Sequence, residues 1–295
     1  MNCLSLNLRG AGDKLKGDWV KDVKRCYNIN FIGCQETQFI DGNMVNLDWF
    51  WDNTKFEGCV VNASGRSAGL FCVWNSAMLK DVVVLKSANY ILISGKWRVR
   101  VGAWVIMGDF NEVRRKEDRI SERVCIGGMT AFNNFIRDAG LLDFNTGGMR
   151  FTRMRDDGKS LSKIDRFLYC NDFLLKWSSA RVTVLPRRYS DHSPIILCSD
   201  MVDFGPTSFK FYNSWIRMDG LKDLVIGSWG RQVNVNLAKD VQVMLKLKSL
   251  KNEVRKWNNN KRSVENYERD VLIKTIDKLE ELAEQRPLSS PGERS

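Results

Sequence analysis

Short apolar runs in this chain repeatedly end on a polar side chain. A polar group is costly to desolvate, so its recurrence at the ends of buried strands calls for a functional explanation. The polar residues at these ends are Asn7, Glu36, Asp109 with Asn111, Asp165, and Asp191 with His192. Any one of them is more often a turn cap than a ligand. Together they predict strand ends that bring carboxylates, amides and an imidazole into one cleft.

The first 200 residues alternate apolar runs with turn residues, a pattern typical of an α/β or α+β domain. Their number is sufficient to bury a full core. Strands are predicted over 3–8, 30–35, 69–74, 82–86, 90–101, 104–110, 164–170, 181–185 and 194–198. Helices are predicted over 13–27 and 130–139, where apolar residues recur on one face.

The sequence changes character after residue 200, where Gly205-Pro206 interrupts the chain. Two amphipathic helices are predicted over 239–257 and 263–285, and packing on each other or on the core is favoured over a role in gripping nucleic acid. The predicted organisation is a domain over 1–200, a helical segment over 201–286 and a disordered Pro/Ser/Gly-rich tail over 287–295.

The charge balance favours a polyanionic partner. Lys and Arg number 46 against 35 Asp and Glu, a formal net charge of +11. Basic residues stand close to the polar strand ends, with Arg114 and Arg115 following Asn111 and Arg187 and Arg188 preceding Ser190. These four arginines are predicted to contact a phosphate backbone.

Cysteine usage and hydropathy indicate the compartment. The eight cysteines include no CxxC pair, and the chain opens with Met-Asn-Cys instead of a charged and then apolar leader. The apolar runs are far shorter than the ~20 residues that a membrane span needs. We therefore expect an intracellular protein that does not enter a membrane.

The polar residues suit metal-assisted hydrolysis of a phosphate ester. A hard cation such as Mg²⁺ prefers oxygen ligands, which Glu36 and Asn7 could provide. His192, the only histidine of the chain, suits the proton transfer that an attacking water requires. Neighbouring residues of an extended segment point to opposite sides, so Asp191 is poorly placed to orient the imidazole. Asp165, on another strand, is the candidate for that task.

The sequence order LNLRG, QET, GDFN, SKIDRFL, SDHSP resembles the exonuclease/endonuclease/phosphatase superfamily. Within it, residues 1–200 look like the apurinic-type endonuclease domain of plant LINE-type retrotransposon polyproteins. Residues 209–285 look like the connector that precedes the reverse transcriptase in those polyproteins. The resemblance implies a four-layer sandwich of two packed β-sheets flanked by helices.

The resemblance also implies the roles of the site residues. Glu36 would bind Mg²⁺, or Mn²⁺ as an alternative, with help from Asn7, and Asp191 would lie near the metal. Asp109 and Asn111 would position the attacking water and the phosphate, while Asp165 would orient His192 at the scissile bond. The partner would be DNA, nicked in the nucleus. Whether Asp109 or His192 is the base stays open, because carboxylates near a metal titrate as a coupled set.

One segment of the family pattern is missing. The family places a strand, a tyrosine-bearing turn and a helix before the strand of GDFN, and this chain lacks them between about Arg98 and Trp104. Parallel neighbours cannot be joined by so short a link. A hairpin or one long strand is therefore predicted there, with apolar surface exposed around Trp97, Val99 and Val101.

Three functions fit the sequence. The first is a nuclease, intact or impaired by the missing segment. The second is a decayed retroelement fragment that binds nucleic acid without cutting it. The third is a small-molecule phosphatase of the same superfamily, which the connector-like segment disfavours.

Overall fold

The structure is a computed structural model that describes residues 1–41, 46–64, 68–97, 103–120, 123–156, 158–199, 209, 211, 213–230 and 238–285. The predicted tail at 287–295 and most of the link after Trp97 lie outside this part of the chain.

Within the described residues, the strands β1 to β15 follow one another in chain order. They are Asn2–Asn7, Phe31–Gln35, Phe56–Val61, Leu70–Asn75, Leu79–Lys86, Ile91–Trp97, Val105–Asp109, Arg119–Ile120, Leu141–Asp143, Thr146–Gly148, Arg153–Met154, Leu161–Ser162, Asp165–Cys170, Arg181–Val184 and Ile195–Cys198. The helices α1 to α5 are Lys14–Tyr27, Ile126–Asp138, Asn171–Lys176, Leu221–Gly230 and Lys239–Gln285, and 3₁₀ turns span Leu47–Trp49, Lys116–Asp118 and Asn213–Arg217.

One large sheet organises the first part of the chain. Its strand order is β10-β14-β15-β1-β2-β4-β3, in which β1 and β2 run parallel and β1 and β15 run antiparallel. A second layer consists of the sheet β7-β13-β9 and the hairpin β5-β6. The short strands β11, β12 and β8 form a further small sheet.

Side-chain alternation along β1 separates two cores. Leu4 and Leu6 point towards α1, where they join a buried cluster that includes Trp19. Cys3 points the other way, into a cluster with Phe167 of β13. The large sheet is therefore apolar on both faces, with a helix on one side and the second layer on the other.

The outer face of the second layer is covered by α2. Phe132 and Ile136 of this helix form a buried cluster with Leu141 and Leu168 of the sheet beneath. The layer order is helix, sheet, sheet, helix, so the predicted four-layer sandwich is confirmed.

The pairing of β6 and β7 differs from the prediction. β6 pairs with β5, and β7 pairs with β13, so the two strands form neither a hairpin with each other nor one long strand in the described part of the chain. Trp97 is buried rather than exposed, because it lies on the inner face of β6 opposite Leu79. Val99 and Val101 fall outside the described residues.

The chain divides into two compact units. The first runs to Met201 and takes in α5 from Glu280 onward, and the second covers the residues between. In the second unit, Trp215, Leu221 and Val254 form a small core. No helix in the described part of the chain has both the length and the hydropathy to cross a bilayer.

The prediction of two separate C-terminal helices is wrong, since α5 is one continuous helix. The stretch between them, Asn258-Asn259-Asn260-Lys261-Arg262, contains no proline or glycine. Asparagine costs a helix under about 1 kcal/mol per residue, too little to end it here.

Candidate active site

Strand alternation brings three polar side chains to one edge of the sandwich. On β7, Val105 and Met107 pack against the core between the sheets, so Asp109, two residues on, faces the same way. On β13, the register pairs Asp165 with Asp109. From the opposite sheet, the amide of Asn7 donates from Nδ2 to Asp109 Oδ2 over 3.1 Å.

His192 completes this group from the segment before β15. Its Nδ1 lies 2.9 Å from Asp165 Oδ2, and its Nε2 lies 3.8 Å from Asp109 Oδ2. The imidazole and the Asp165 side chain are both almost fully buried. The ring therefore lies between two carboxyl groups, with Nδ1 facing Asp165 and Nε2 facing Asp109.

Burial and charge oppose each other in this cluster. Burial lowers the pKa of His192, but Asp165, Asp109 and Asp191 more than compensate and raise that pKa above its usual value. The pKa of Asp109 is raised by its own burial and by the charge of Asp165, against the opposing effect of His192. The site therefore favours a protonated imidazole between two carboxyl groups.

Two hydroxyl side chains hold the segments that carry this pair. Thr152 Oγ1 accepts from the backbone N–H groups of Ile164 and Asp165, at 3.1 and 3.0 Å. Ser190 Oγ donates to the backbone carbonyl of Asn7 over 2.7 Å and accepts from the N–H of His192 over 3.1 Å. The sequence analysis assigned no role to Thr152 or Ser190. Ser190 directly precedes the predicted site residue Asp191, and this position could have indicated its role; Thr152 has no such neighbour.

Asn111 lies beside the cluster rather than in it. Its side chain is exposed, its φ is +55°, and its N–H donates to Asp109 Oδ1 over 2.8 Å. The turn at Asn111 thus fixes one oxygen of Asp109, while Asn7 fixes the other.

The side chains of Asp109, Asp165 and His192 form a group that could hold a metal ion, with ligand atoms within 4.8 Å of one another. The predicted metal site consists of other residues, namely Asn7 and Glu36 with Asp191 near the metal. Since Asp165 and His192 already bond to each other, binding a cation there would compete with that bond.

Glu36 follows β2 at the same edge of the large sheet, where Asn7 is the partner of the preceding residue, Gln35. It is half-buried, has a φ of +50°, and accepts the N–H of Gly10 at its carbonyl. The amide oxygen of Asn7 accepts the N–H of Arg9 over 3.0 Å. Asn7 therefore has its amide group oriented from both ends.

Asp191 is engaged with arginines. Its Oδ2 lies 3.2 Å from Nε of Arg153 and 3.6 Å from Nη1 of Arg9. Its Oδ1 is buried and has no hydrogen-bond partner among the described residues. These contacts explain how a buried carboxylate is tolerated here.

The four predicted phosphate-contacting arginines fall into two classes. Arg114 is tied to Asp143 and Asn133, and Arg187 forms a charge pair with Glu280 at 2.8 Å that is not aligned as a hydrogen bond. Arg115 and Arg188 are exposed. The second pair is therefore better placed to meet an external phosphate.

The sequence matches no protein-family model and no curated protein, but solved structures share its architecture. The 3′–5′ exonuclease NExo from Neisseria meningitidis has a TM-score of 0.52 at 16% identity, covering 68% of this chain and 100% of its own. The 3′ phosphatase NExo from Neisseria, bound to a product DNA hairpin, has a TM-score of 0.50 at 16% identity, with coverages of 68% and 99%. The AP endonuclease LMAP from Leishmania major has a TM-score of 0.50 at 10% identity, with coverages of 66% and 86%.

The chain has the fold of these enzymes. They are members of the exonuclease/endonuclease/phosphatase superfamily, and at such low identity the likeness establishes the fold alone. The acidic and histidine cluster described above lies within the first compact unit of that fold.

Proposed function

We propose that this chain is a divalent-metal-dependent hydrolase that nicks DNA, and that it derives from the endonuclease of a LINE-type retrotransposon. The observation that carries the proposal is the buried series Asp165, His192, Asp109, joined by contacts of 2.9 and 3.8 Å at one edge of the sandwich. The retrotransposon origin rests on the motif order and on the helical segment that follows the first unit.

The proposed roles of these residues follow from the pKa shifts of His192 and Asp109. The raised pKa of His192 increases its protonated fraction at any given pH, so His192 would donate from Nε2 to an oxygen of the phosphate. Asp109 would accept the proton of the attacking water, for which a raised pKa is an advantage. Asp165 would keep the ring oriented and its charge compensated.

A divalent cation would supply charge neutralisation at the phosphate. Asn7 and Glu36 fit this task, because the amide oxygen of Asn7 retains a second lone pair and the half-buried Glu36 carboxylate follows the neighbouring parallel strand. Asp191 would influence the metal region through its negative charge, because its carboxylate already contacts Arg153 and Arg9. We favour Mg²⁺, with Mn²⁺ as the alternative.

Three features support DNA as the substrate. The net charge of +11 favours a polyanion. Arg115 and Arg188 are exposed near the segments that carry the site. One of the similar structures, a 3′ phosphatase, is bound to a product DNA hairpin.

The test is a comparison of substrates. The natural chain and its His192→Ala variant are incubated with Mg²⁺ on supercoiled plasmid, on a 3′-phosphorylated oligonucleotide and on a small phosphomonoester. The proposal expects plasmid nicking that requires both Mg²⁺ and His192. Binding to plasmid without any cleavage would favour the decayed nucleic-acid-binding fragment, and cleavage of the phosphomonoester alone would favour the phosphatase.

A further inference from the structure

Two cysteines outside the candidate active site face each other across β3 and β4. Cys59 and Cys72 are direct partners in this antiparallel pair, and both are buried free thiols. Directly opposed residues of antiparallel strands have Cα atoms about 4.5 or 5.5 Å apart, and disulfides form at about 4.4–6.8 Å. Either spacing lies within that range.

The two thiols are chemically unequal. A hydrogen bond between the two thiols lowers the pKa of Cys59 and raises that of Cys72. The positive charge of Lys86 assists in lowering the pKa of Cys59. Cys59 is therefore the nucleophile of the pair, because the thiolate is the reactive form.

The buried cysteines Cys3 and Cys34 are less suited to react with an oxidant or to form a disulfide. Burial raises the pKa of Cys3 to about 12 and raises that of Cys34 still further. The strand partners of Cys3 include Leu197, and those of Cys34 include Phe71, neither of which is a cysteine.

We propose that Cys59 and Cys72 form a redox site at which a peroxide oxidant produces a cross-strand disulfide. The Cys59 thiolate attacks hydrogen peroxide, giving a sulfenic acid and hydroxide, and the proton lost from the Cys59 thiol converts that hydroxide to water. The Cys72 sulfur then attacks the sulfenic sulfur, and its proton leaves with the hydroxyl group as a second water. Two thiols and one peroxide thus become one disulfide and two waters.

The position of the pair gives the crosslink a structural consequence. β3 is the edge strand of the large sheet, and the two residues directly before β4 bond to the residues that follow Glu36. The N–H of Thr37 donates to the carbonyl of Gly69, and the N–H of Gln38 donates to that of Ala68. A disulfide across the hairpin would restrict its opening and so slow hydrogen exchange of these two amides.

The test uses the full natural chain with all eight cysteines. After treatment with limiting hydrogen peroxide, remaining thiols are blocked and the chain is digested without reduction for mass spectrometry. The expected result is a linked peptide pair containing Cys59 and Cys72, with the Thr37 amide exchanging more slowly. The Cys26→Ser variant, altered at an exposed cysteine, should keep the link, and Cys59→Ser should lose both effects.

The same oxidation in urea separates native geometry from chance pairing. Unfolded chains should give mixed pairings, whereas native chains should give the one pair. The proposal is overturned if Cys26 becomes oxidised while Cys59 and Cys72 remain thiols, if native chains show the mixed pairings of unfolded ones, or if the Thr37 amide exchanges at an unchanged rate after the link has formed.

Discussion

At the residue scale, the imidazole signals of His192 can be assigned without ambiguity by NMR, because the chain contains no other histidine. Its pKa is raised by three carboxylates against the opposing effect of burial. We expect an NMR titration of the imidazole to give a midpoint above 6.5 in the natural chain. Asp165→Asn should move that midpoint down, and an unchanged midpoint would show that Asp165 does not set the charge of the ring.

The same shift has a consequence for stability. A histidine whose native pKa is raised adds stability below its unfolded pKa, and that contribution is lost as the pH rises through the native pKa. Asp165→Asn should therefore lower the free energy of unfolding more at mildly acidic pH than at alkaline pH. Urea unfolding of both chains at the two pH values measures this difference, and an equal loss at both would contradict it.

The exposed arginines predict the salt dependence of the proposed DNA binding. Replacing both Arg115 and Arg188 by alanine should reduce the slope of log affinity against log salt by about two, the number of phosphate contacts removed. Arg114 and Arg187 are engaged with Asp143 and Glu280, so the matched double variant should change stability more than the slope. An identical slope after removal of Arg115 and Arg188 would assign them to solvated surface.

Sequence reasoning reached part of the site and missed its supports. Strand alternation was enough to choose Asp165 over Asp191 as the neighbour of His192, and the two lie 2.9 Å apart. The contact between Asn7 and Asp109 joins two sheets, and no local pattern encodes how sheets stack. Thr152 bonds to backbone amides, which nearly every residue has, so no pattern of side chains in the sequence reveals its role.

At the element scale, strand prediction failed where apolar and polar residues did not alternate clearly along the sequence. β3 was missed because Glu57 and Gly58 interrupt an otherwise apolar run, and a strand at the sheet edge tolerates both. The predicted interruption between residues 257 and 263 is wrong because the stretch between the two apolar seams contains no proline or glycine that would end a helix.

Thr152 allows a test of how β13 is anchored. Its side chain is fully buried and accepts two backbone N–H groups at the start of that strand. Thr152→Val should leave both donors unsatisfied and cost about 1–3 kcal/mol in unfolding free energy for each. Thr152→Ser, which keeps the hydroxyl, should cost less. Equal losses in urea unfolding would mean that packing of the methyl group, rather than these hydrogen bonds, explains the position.

At the scale of the whole molecule, the described residues of the first unit form both sheets and their covering helices, although the sequence pattern that this chain resembles has a further segment between β6 and β7. The residues of the proposed chemistry lie on both sides of that link, with Glu36 before it and Asp109 after it. The order of strands in the large sheet could not be read from the sequence, because it depends on pairings between distant segments such as β1 and β15.

We propose that the buried series Asp165, His192 and Asp109 is the hydrolytic machinery of this chain and that the missing segment weakens it. The most direct measurement is Mg²⁺-dependent nicking of supercoiled plasmid by the natural chain and by a chain with the strand, tyrosine turn and helix restored from a related domain. Each is compared with its own His192→Ala variant. We predict weak nicking by the natural chain, faster nicking by the restored chain, and loss of both on His192→Ala. Nicking that persists at the same rate after His192→Ala would show that His192 takes no part in the hydrolysis.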